Sequence, residues 1–134
     1  MLDDSLPLTI HEYDEWGDPR DPIAYDILRS YCPYTNMQPH TTPPAMLVTA
    51  ALNDSRVAYW HAAKWVAKAQ RFRDHQRNNR GHIERWFGRS CEDTPVLLHV
   101  SPGGHSGVGG HSAQHHDTAL TFAFLHKAMG LDYS

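Results

Sequence analysis

The stretch that decides the fold is Pro44 to Trp65, PAMLVTAALNDSRVAYWHAAKW. Its apolar run Ala45 to Ala51 has the length of a β-strand, and the apolar residues from Tyr59 onward have helical spacing. Leu52 to Val57 is therefore expected to form a strand-to-helix turn, and Asp54 lies in it. In open α/β sheets the chemistry collects at the carboxyl ends of strands, so an acid here could orient a histidine from a neighbouring strand end.

A second strand end supplies that histidine. Pro95 to Val100 is another short apolar run, and it leads into the glycine-rich turn Ser101-Pro102-Gly103-Gly104-His105. The segment from His115 to Gly130 has the spacing of an amphipathic helix and ends at a glycine cap. This order predicts two parallel strands joined by a right-handed crossover, with Asp54 and His105 as a candidate pair. Asp followed by His matches the end of the order Ser, Asp, His in α/β-hydrolases.

Composition excludes several classes of protein. The length of 134 residues predicts one globular unit, from residue 1 to 134. The formal net charge of -3 indicates no general attraction to nucleic acid or anionic membranes. No apolar run approaches the roughly 20 residues that a membrane span needs. The N-terminus has no basic start followed by an apolar core, so we expect no secretory signal and a reducing, cytoplasmic setting. Cys32 and Cys91 are then free thiols.

The 11 histidines raise the alternative of a metal-binding module. Four of them lie close together in sequence: His105, His111, His115 and His116. His111 and His115 would share a face of a helix, which is acceptable spacing for zinc, copper or nickel. The simpler interpretation is a solvated loop up to His116, followed by a helix whose positive end Asp117 favours. We expect no metal and no other cofactor.

Two further segments, at the N-terminus and at 74–94, do not belong to this pattern of strands and helices. The first ten residues have the character of extended chain, and Glu12, Asp14 and Glu15 then form an acidic cluster. Such a cluster is usually a solvated loop or a helix start, but it could also be a pocket for a Lys or Arg side chain. The helix after Tyr59 should end near Arg73, and the polar stretch at 74–94 predicts a surface insertion. A basic nucleic-acid patch there has no recognised motif to support it.

Six segments together resemble a known family: Met1 to Asp3, Ser5 to Thr9, Glu12 to Gly17, Ser30 to Tyr31, Asp54 to Trp60 and Ala63 to Lys68. They are similar to the C-terminal stretch of oligopeptidase B enzymes, in the prolyl oligopeptidase family of serine peptidases. The likeness covers most of the chain except residues 74–94. It implies the C-terminal portion of an α/β-hydrolase fold, with parallel strands and crossover helices, lacking the serine elbow and the β-propeller.

The resemblance also implies roles for individual residues. Asp54 would be the acid of the catalytic triad and His105 the general base. Arg56 would lie at the substrate backbone beside the scissile bond. Glu12 and Asp14 match the acidic positions that receive a basic side chain, so the expected substrates are short peptides cleaved after Arg or Lys.

The sequence also departs from the family in ways that limit the isolated chain. No GxSxG motif precedes Asp54, and His61 stands where the family has a glutamate. Because triad members act as a unit, we expect little activity without a serine from the missing catalytic half, supplied in cis or in trans. Two alternatives remain open: a non-catalytic or vestigial module that docks through an exposed sheet edge, and the histidine-rich metal binder.

Overall fold

The structure, a computed structural model, describes residues 2–6, 8–39, 44–79, 94–107 and 109–131. These residues form a small parallel sheet with helices before, between and after its strands. The elements in chain order are α1 (Thr9–Trp16), α2 (Pro22–Tyr31), β1 (Met46–Ala51), α3 (Tyr59–Asn79), β2 (Val96–Ser101) and α4 (His111–Ala128). Both predicted strands are therefore present, each displaced by one residue from its expected start.

The two strands pair in parallel and end level with each other. The register runs from Met46 opposite Val96 to Ala51 opposite Ser101. Parallel neighbours need a crossover connection, and α3 is that connection. Because the last residues of the two strands are partners, the turns that follow them leave the sheet at the same end, the carboxyl end of the strands.

The small core lies where α3 covers the sheet. Its fully buried side chains are Val66 and Ala69 of α3 and Val96 of β2. The methyl side chain of Ala69, only 1% exposed, allows the helix to lie close to the strand. Gln70 strengthens the contact, because its side-chain Nε2 donates to the Val96 carbonyl at 2.8 Å. Partly buried apolar side chains surround this cluster: Met37, Met46, Val48, Trp65 and Leu98.

The start of α2 at Pro22 has a simple cause. Asp21 is the N-cap residue of α2, with its carboxylate accepting the N–H of Ile23 at 3.1 Å. Pro22 follows at the first helical position, where its missing N–H costs no intrahelical bond.

The extended start predicted for the first ten residues is wrong at its end, since α1 already begins at Thr9. A local turn reverses the chain before it. The Asp3 carboxylate accepts both the N–H and the hydroxyl of Ser5, and the N–H of Leu6 donates to the Asp3 carbonyl. Thr9 is then buried at 4% exposure. Helical periodicity cannot reveal a helix that begins inside so short a window.

The predicted end of the crossover helix is also wrong. α3 continues past Arg73 to Asn79, because this polar stretch contains no Gly or Pro that would end a helix. Residues 74–79 of the expected insertion are therefore helical. The remainder, 80–93 with Cys91, lies outside the described residues, and its interpretation as an insertion stays a prediction.

The last helix begins four residues earlier than predicted, at His111 instead of His115. The expected loop is thus the first turn of α4. Asp117 lies in the second turn, where it does not act on the helix end. Its carboxylate instead bonds the His99 ring of β2, with Oδ1 and Nε2 3.1 Å apart.

The predicted glycine cap of α4 is confirmed. Gly130 has a φ of +66°, and its N–H donates to the Lys127 carbonyl while the N–H of Leu131 donates to that of His126. The apolar side chains of α4 remain largely uncovered, with Phe122 67% and Leu125 42% exposed. No helix within the described ranges is long and apolar enough to cross a membrane.

Replacing Val96 with alanine should destabilise the fold, because Val96 is fully buried against α3. Two lost methyl groups at about 0.8 kcal/mol each, plus a cavity term, give roughly 2–3 kcal/mol in the free energy of unfolding. Urea denaturation measures this change in the free energy of unfolding. Leu97→Ala is the matched control, since Leu97 is 45% exposed on the same strand and should cost less than about 1 kcal/mol. Equal losses for both variants would contradict the assigned core.

Candidate active site

The turn after β1 holds Asp54 in one fixed orientation. Its carboxylate Oδ1 accepts the backbone N–H of Arg56 at 2.8 Å and that of Val57 at 2.9 Å. Short polar side chains commonly close turns in this way. The bonds favour the ionised form, so the Val57 and Arg56 amides, with a smaller contribution from His105, lower the pKa of Asp54. The Asp54 side chain is only 12% exposed.

The turn after β2 presents His105 at the tip of a tight loop. Gly104 and Gly107 form an antiparallel bridge around it, with N–H to carbonyl distances of 3.2 and 2.9 Å. Gly107 has a φ of +90°, a backbone conformation that residues with a side chain rarely adopt. The loop is therefore short and closed, and it leaves the His105 side chain 44% exposed.

The structure brings Asp54 and His105 together, although 51 residues separate them in sequence. His105 Nδ1 lies 3.1 Å from Asp54 Oδ2 and 3.2 Å from Oδ1. A carboxylate can only accept, so this geometry assigns the ring proton to Nδ1 and leaves Nε2 as the acceptor. Nε2 has no protein partner among the described residues. An imidazole held in this tautomer, with Nε2 open, can take a proton from a hydroxyl group.

Three hydrogen bonds join the two turns behind the pair. The N–H of Leu52 donates to the Ser101 carbonyl at 2.8 Å. Asn53 donates twice, from its backbone N–H to Gly103 at 3.1 Å and from its side-chain Nδ2 to Pro102 at 2.8 Å. Sequence reasoning missed Asn53. An asparagine before Asp54 signals a turn, but nothing local indicates a partner 49 residues away.

Arg56 lies in the same turn as Asp54. Its side chain is exposed, and within the described part of the chain it makes no ion pair. Arg56 thus lies two residues past Asp54, and its predicted contact with substrate stays a prediction.

Glu12 and Asp14, the two predicted specificity residues of α1, differ in their surroundings. Glu12 is half-buried and lines a cavity of about 690 Å³ between α1 and α2, whereas Asp14 is exposed and is not part of the lining. They are two residues apart on a helix, so their side chains project about 200° apart. The other lining residues are mostly aromatic or apolar: Leu2, Trp16, Pro19, Tyr25, Leu28, Arg29, Tyr31, Cys32, Pro33 and Thr35.

The histidines of the C-terminal half do not form a metal site in the described residues. His111 and His115 do share a helix face, with ring centroids 6.5 Å apart, but no third ligand joins them. No group of three or more His, Cys, Asp or Glu side chains within the described ranges could hold a metal ion. His99, also missed from sequence, is paired with Asp117.

Comparison with known proteins identifies the family. Residues 1–132 match the model of the prolyl oligopeptidase family. The chain belongs to this family of serine peptidases. It is 38% identical over 132 residues to dipeptidyl aminopeptidase BI of Pseudoxanthomonas mexicana and 36% identical over 132 residues to protease 2 of Moraxella lacunata. Both alignments cover 98% of this chain but only 16% and 17% of those proteins.

A solved structure supports the same assignment. Oligopeptidase B of Leishmania major superposes with a TM-score of 0.73 and 29% identity, covering 96% of this chain and 15% of that one. The predicted fold class is therefore confirmed: the parallel strands and helices are part of an α/β-hydrolase domain. The chain spans about a sixth of the length of its relatives.

The contribution of Asp54 to stability should depend on pH. Because its pKa in the folded state is lowered from 3.8, its contribution is complete above that value and is lost as the pH falls through the lowered pKa. Denaturant unfolding across an acid series compares the parent with Asp54→Asn. The difference in the free energy of unfolding should shrink as the pH falls below 3.8.

Ser55→Ala is the control, since it alters the same turn without removing a titrating group. Its difference from the parent should not vary with pH. If the Asp54→Asn difference were equally independent of pH, the anchored carboxylate would not exist in solution.

Proposed function

We propose that this chain supplies the acid and the base of a serine peptidase that cleaves short peptides after Arg or Lys. The observation that carries the proposal is the contact between His105 Nδ1 and the Asp54 carboxylate at 3.1 Å. The orientation of that carboxylate by two backbone amides supports the same role, because it removes the freedom of the acid to turn away.

In the proposed reaction His105 Nε2 takes the proton of a serine hydroxyl as the serine oxygen attacks the peptide carbonyl carbon. Asp54 stabilises the resulting imidazolium and keeps Nδ1 protonated. His105 then gives its proton to the leaving amine as the C–N bond breaks. Water, deprotonated by the same imidazole, hydrolyses the acyl-enzyme and restores the serine. Arg56 would bind the substrate backbone beside the scissile bond.

The serine is proposed to come from a further part of the catalytic domain, in cis or in trans. Two features of the described residues support this. The sheet has only two parallel strands, which normally need further strands and cover on both faces. The apolar side chains of α4 are also largely exposed. Without the serine, the 134 residues alone should be inactive, since the members of a triad act as a unit.

The specificity for basic residues is proposed to depend on Glu12, with Asp14 as a second candidate. Glu12 lines a cavity whose other residues are mostly aromatic or apolar, where its carboxylate could form a charge-assisted hydrogen bond to a guanidinium. Arg29 lines the same cavity, so the ligand would bind Glu12 in the presence of a like charge. We propose no cofactor, and a cytoplasmic setting that keeps Cys32, a free thiol in the structure, reduced.

Replacing either member of the pair should abolish peptidase activity. In the intact polypeptide that carries this sequence, Asp54→Asn should lower kcat by roughly 10⁴-fold, because the imidazole loses the partner that fixes its tautomer. His105→Ala should cost at least as much. The assay is hydrolysis of short amides with arginine before the scissile bond, offered with free and with blocked N-termini. Ser106→Ala, in the same loop, is the control and should remain within a few-fold of the parent.

Peptidase activity that is retained in His105→Ala would contradict the proposal. A native polypeptide of only 15.2 kDa, without peptidase activity but bound to a partner, would favour the docking module instead.

Glu12→Gln should reduce kcat/KM for arginine substrates by roughly 30- to 100-fold while leaving a substrate with an uncharged residue at that position unchanged. Glu15→Gln on the exposed part of α1 is the matched control. Asp14→Asn, assayed in parallel, decides whether the second carboxylate takes part. Equal losses for both substrate types would mean that Glu12 supports the fold and not the specificity.

A further inference from the structure

Asn53 connects the two turns of the candidate site through its backbone and its side chain at once. Its backbone N–H donates to Gly103 at 3.1 Å, and its side-chain Nδ2 donates to Pro102 at 2.8 Å. Two consecutive carbonyls of the histidine turn are thus held by a single residue of the acid turn.

The bond from Asn53 Nδ2 to the Pro102 carbonyl lies just beyond the last paired residues of the two strands. Beyond Ser101 the chain leaves the sheet, and Pro102 has no N–H to continue the pairing. Its carbonyl is reached by a side-chain amide of the opposite turn instead. Asparagine fits this position because its short side chain carries a donor and tolerates turn conformations.

The bond also lies close to the reacting groups. Asn53 is the residue directly before Asp54, and Pro102 is three residues before His105. The Asn53 bond and the Asp54–His105 bond therefore close a small ring of chain. Loss of the side-chain bond leaves the two turns joined only by the backbone N–H groups of Leu52 and Asn53, so the carbonyl of Pro102, three residues before His105, is no longer held.

We propose that Asn53 is a positioning residue that sets the distance between His105 Nδ1 and the Asp54 carboxylate. Its effect on catalysis rests on the proposed function, but its effect on the geometry of the pair does not. A bond that only stabilised the turns would lower the stability of the protein and leave the His105 tautomer unchanged.

The test compares Asn53→Ala and Asn53→Asp with the parent in the intact polypeptide. The aspartate variant keeps the size of the side chain but replaces the donor with an acceptor. Gln70→Ala is the matched control: Gln70 also donates a side-chain amide proton to a β2 carbonyl, that of Val96, at 2.8 Å. It acts at the opposite end of the same strand.

Three measurements are made on each variant, the third being the melting temperature. The first is kcat and KM on the arginine amide substrate. The second is the tautomer of His105, read from ¹⁵N chemical shifts of histidine-labelled protein and assigned with His105→Gln. We expect both Asn53 variants to lose roughly 10- to 100-fold in kcat with KM unchanged, and to lose the uniform Nδ1–H tautomer. Gln70→Ala should keep the kcat and the His105 tautomer of the parent. Its melting temperature should fall by about as much as those of the Asn53 variants.

Each other result has a defined meaning. Equal losses of kcat in the Asn53 and Gln70 variants would overturn the proposal, since general destabilisation would explain them. A His105 tautomer unchanged in both Asn53 variants would overturn it as well. If the parent shows no peptidase activity, the proposed function fails, yet the tautomer measurement still decides whether Asn53 positions the pair.

Discussion

The level ending of two parallel strands is the constraint on which the site depends. Because Ala51 is opposite Ser101, the turns that follow the two strands must leave the sheet at the same end. This brings an aspartate and a histidine within 3.1 Å of each other across 51 residues of chain. A slip of one residue in the register would separate them and would turn the side chains of one strand to the opposite face. The core between α3 and β2 stabilises this register. It therefore helps to keep Asp54 and His105 in contact.

The site combines a fixed acid with an accessible base. Two backbone amides hold the Asp54 carboxylate and lower its pKa below the ordinary 3.8, so it is ionised at neutral pH. His105 lies on a closed loop yet remains 44% exposed, which leaves its second ring nitrogen open to a substrate or a nucleophile. Family membership gives this arrangement a chemical meaning, whereas the arrangement alone would be only a histidine paired with an acid.

Sequence predicted the features with a local signal. The apolar runs indicated both strands, and Gly130 marked the end of α4. The strand ends pointed to Asp54 and His105. What sequence missed depends on contacts between distant residues: Asn53 with Pro102, and His99 with Asp117. The helix limits at Asn79 and His111 were missed because polar residues continue a helix without the apolar periodicity that reveals it. The start at Thr9 was missed because α1 is only 8 residues long.

The central claim is that His105 activates a serine of the same catalytic unit. Labelling with a fluorophosphonate, which reacts with serines activated by a neighbouring base, tests it most directly. The native polypeptide is captured from cells with an antibody against residues 74–94, and its mass and the labelled residue are determined. The account predicts a polypeptide or complex much larger than 15.2 kDa, labelled at one serine outside these 134 residues, with labelling lost in His105→Ala. Labelling that persists in His105→Ala, or an unlabelled product of 15.2 kDa without a partner, would contradict it.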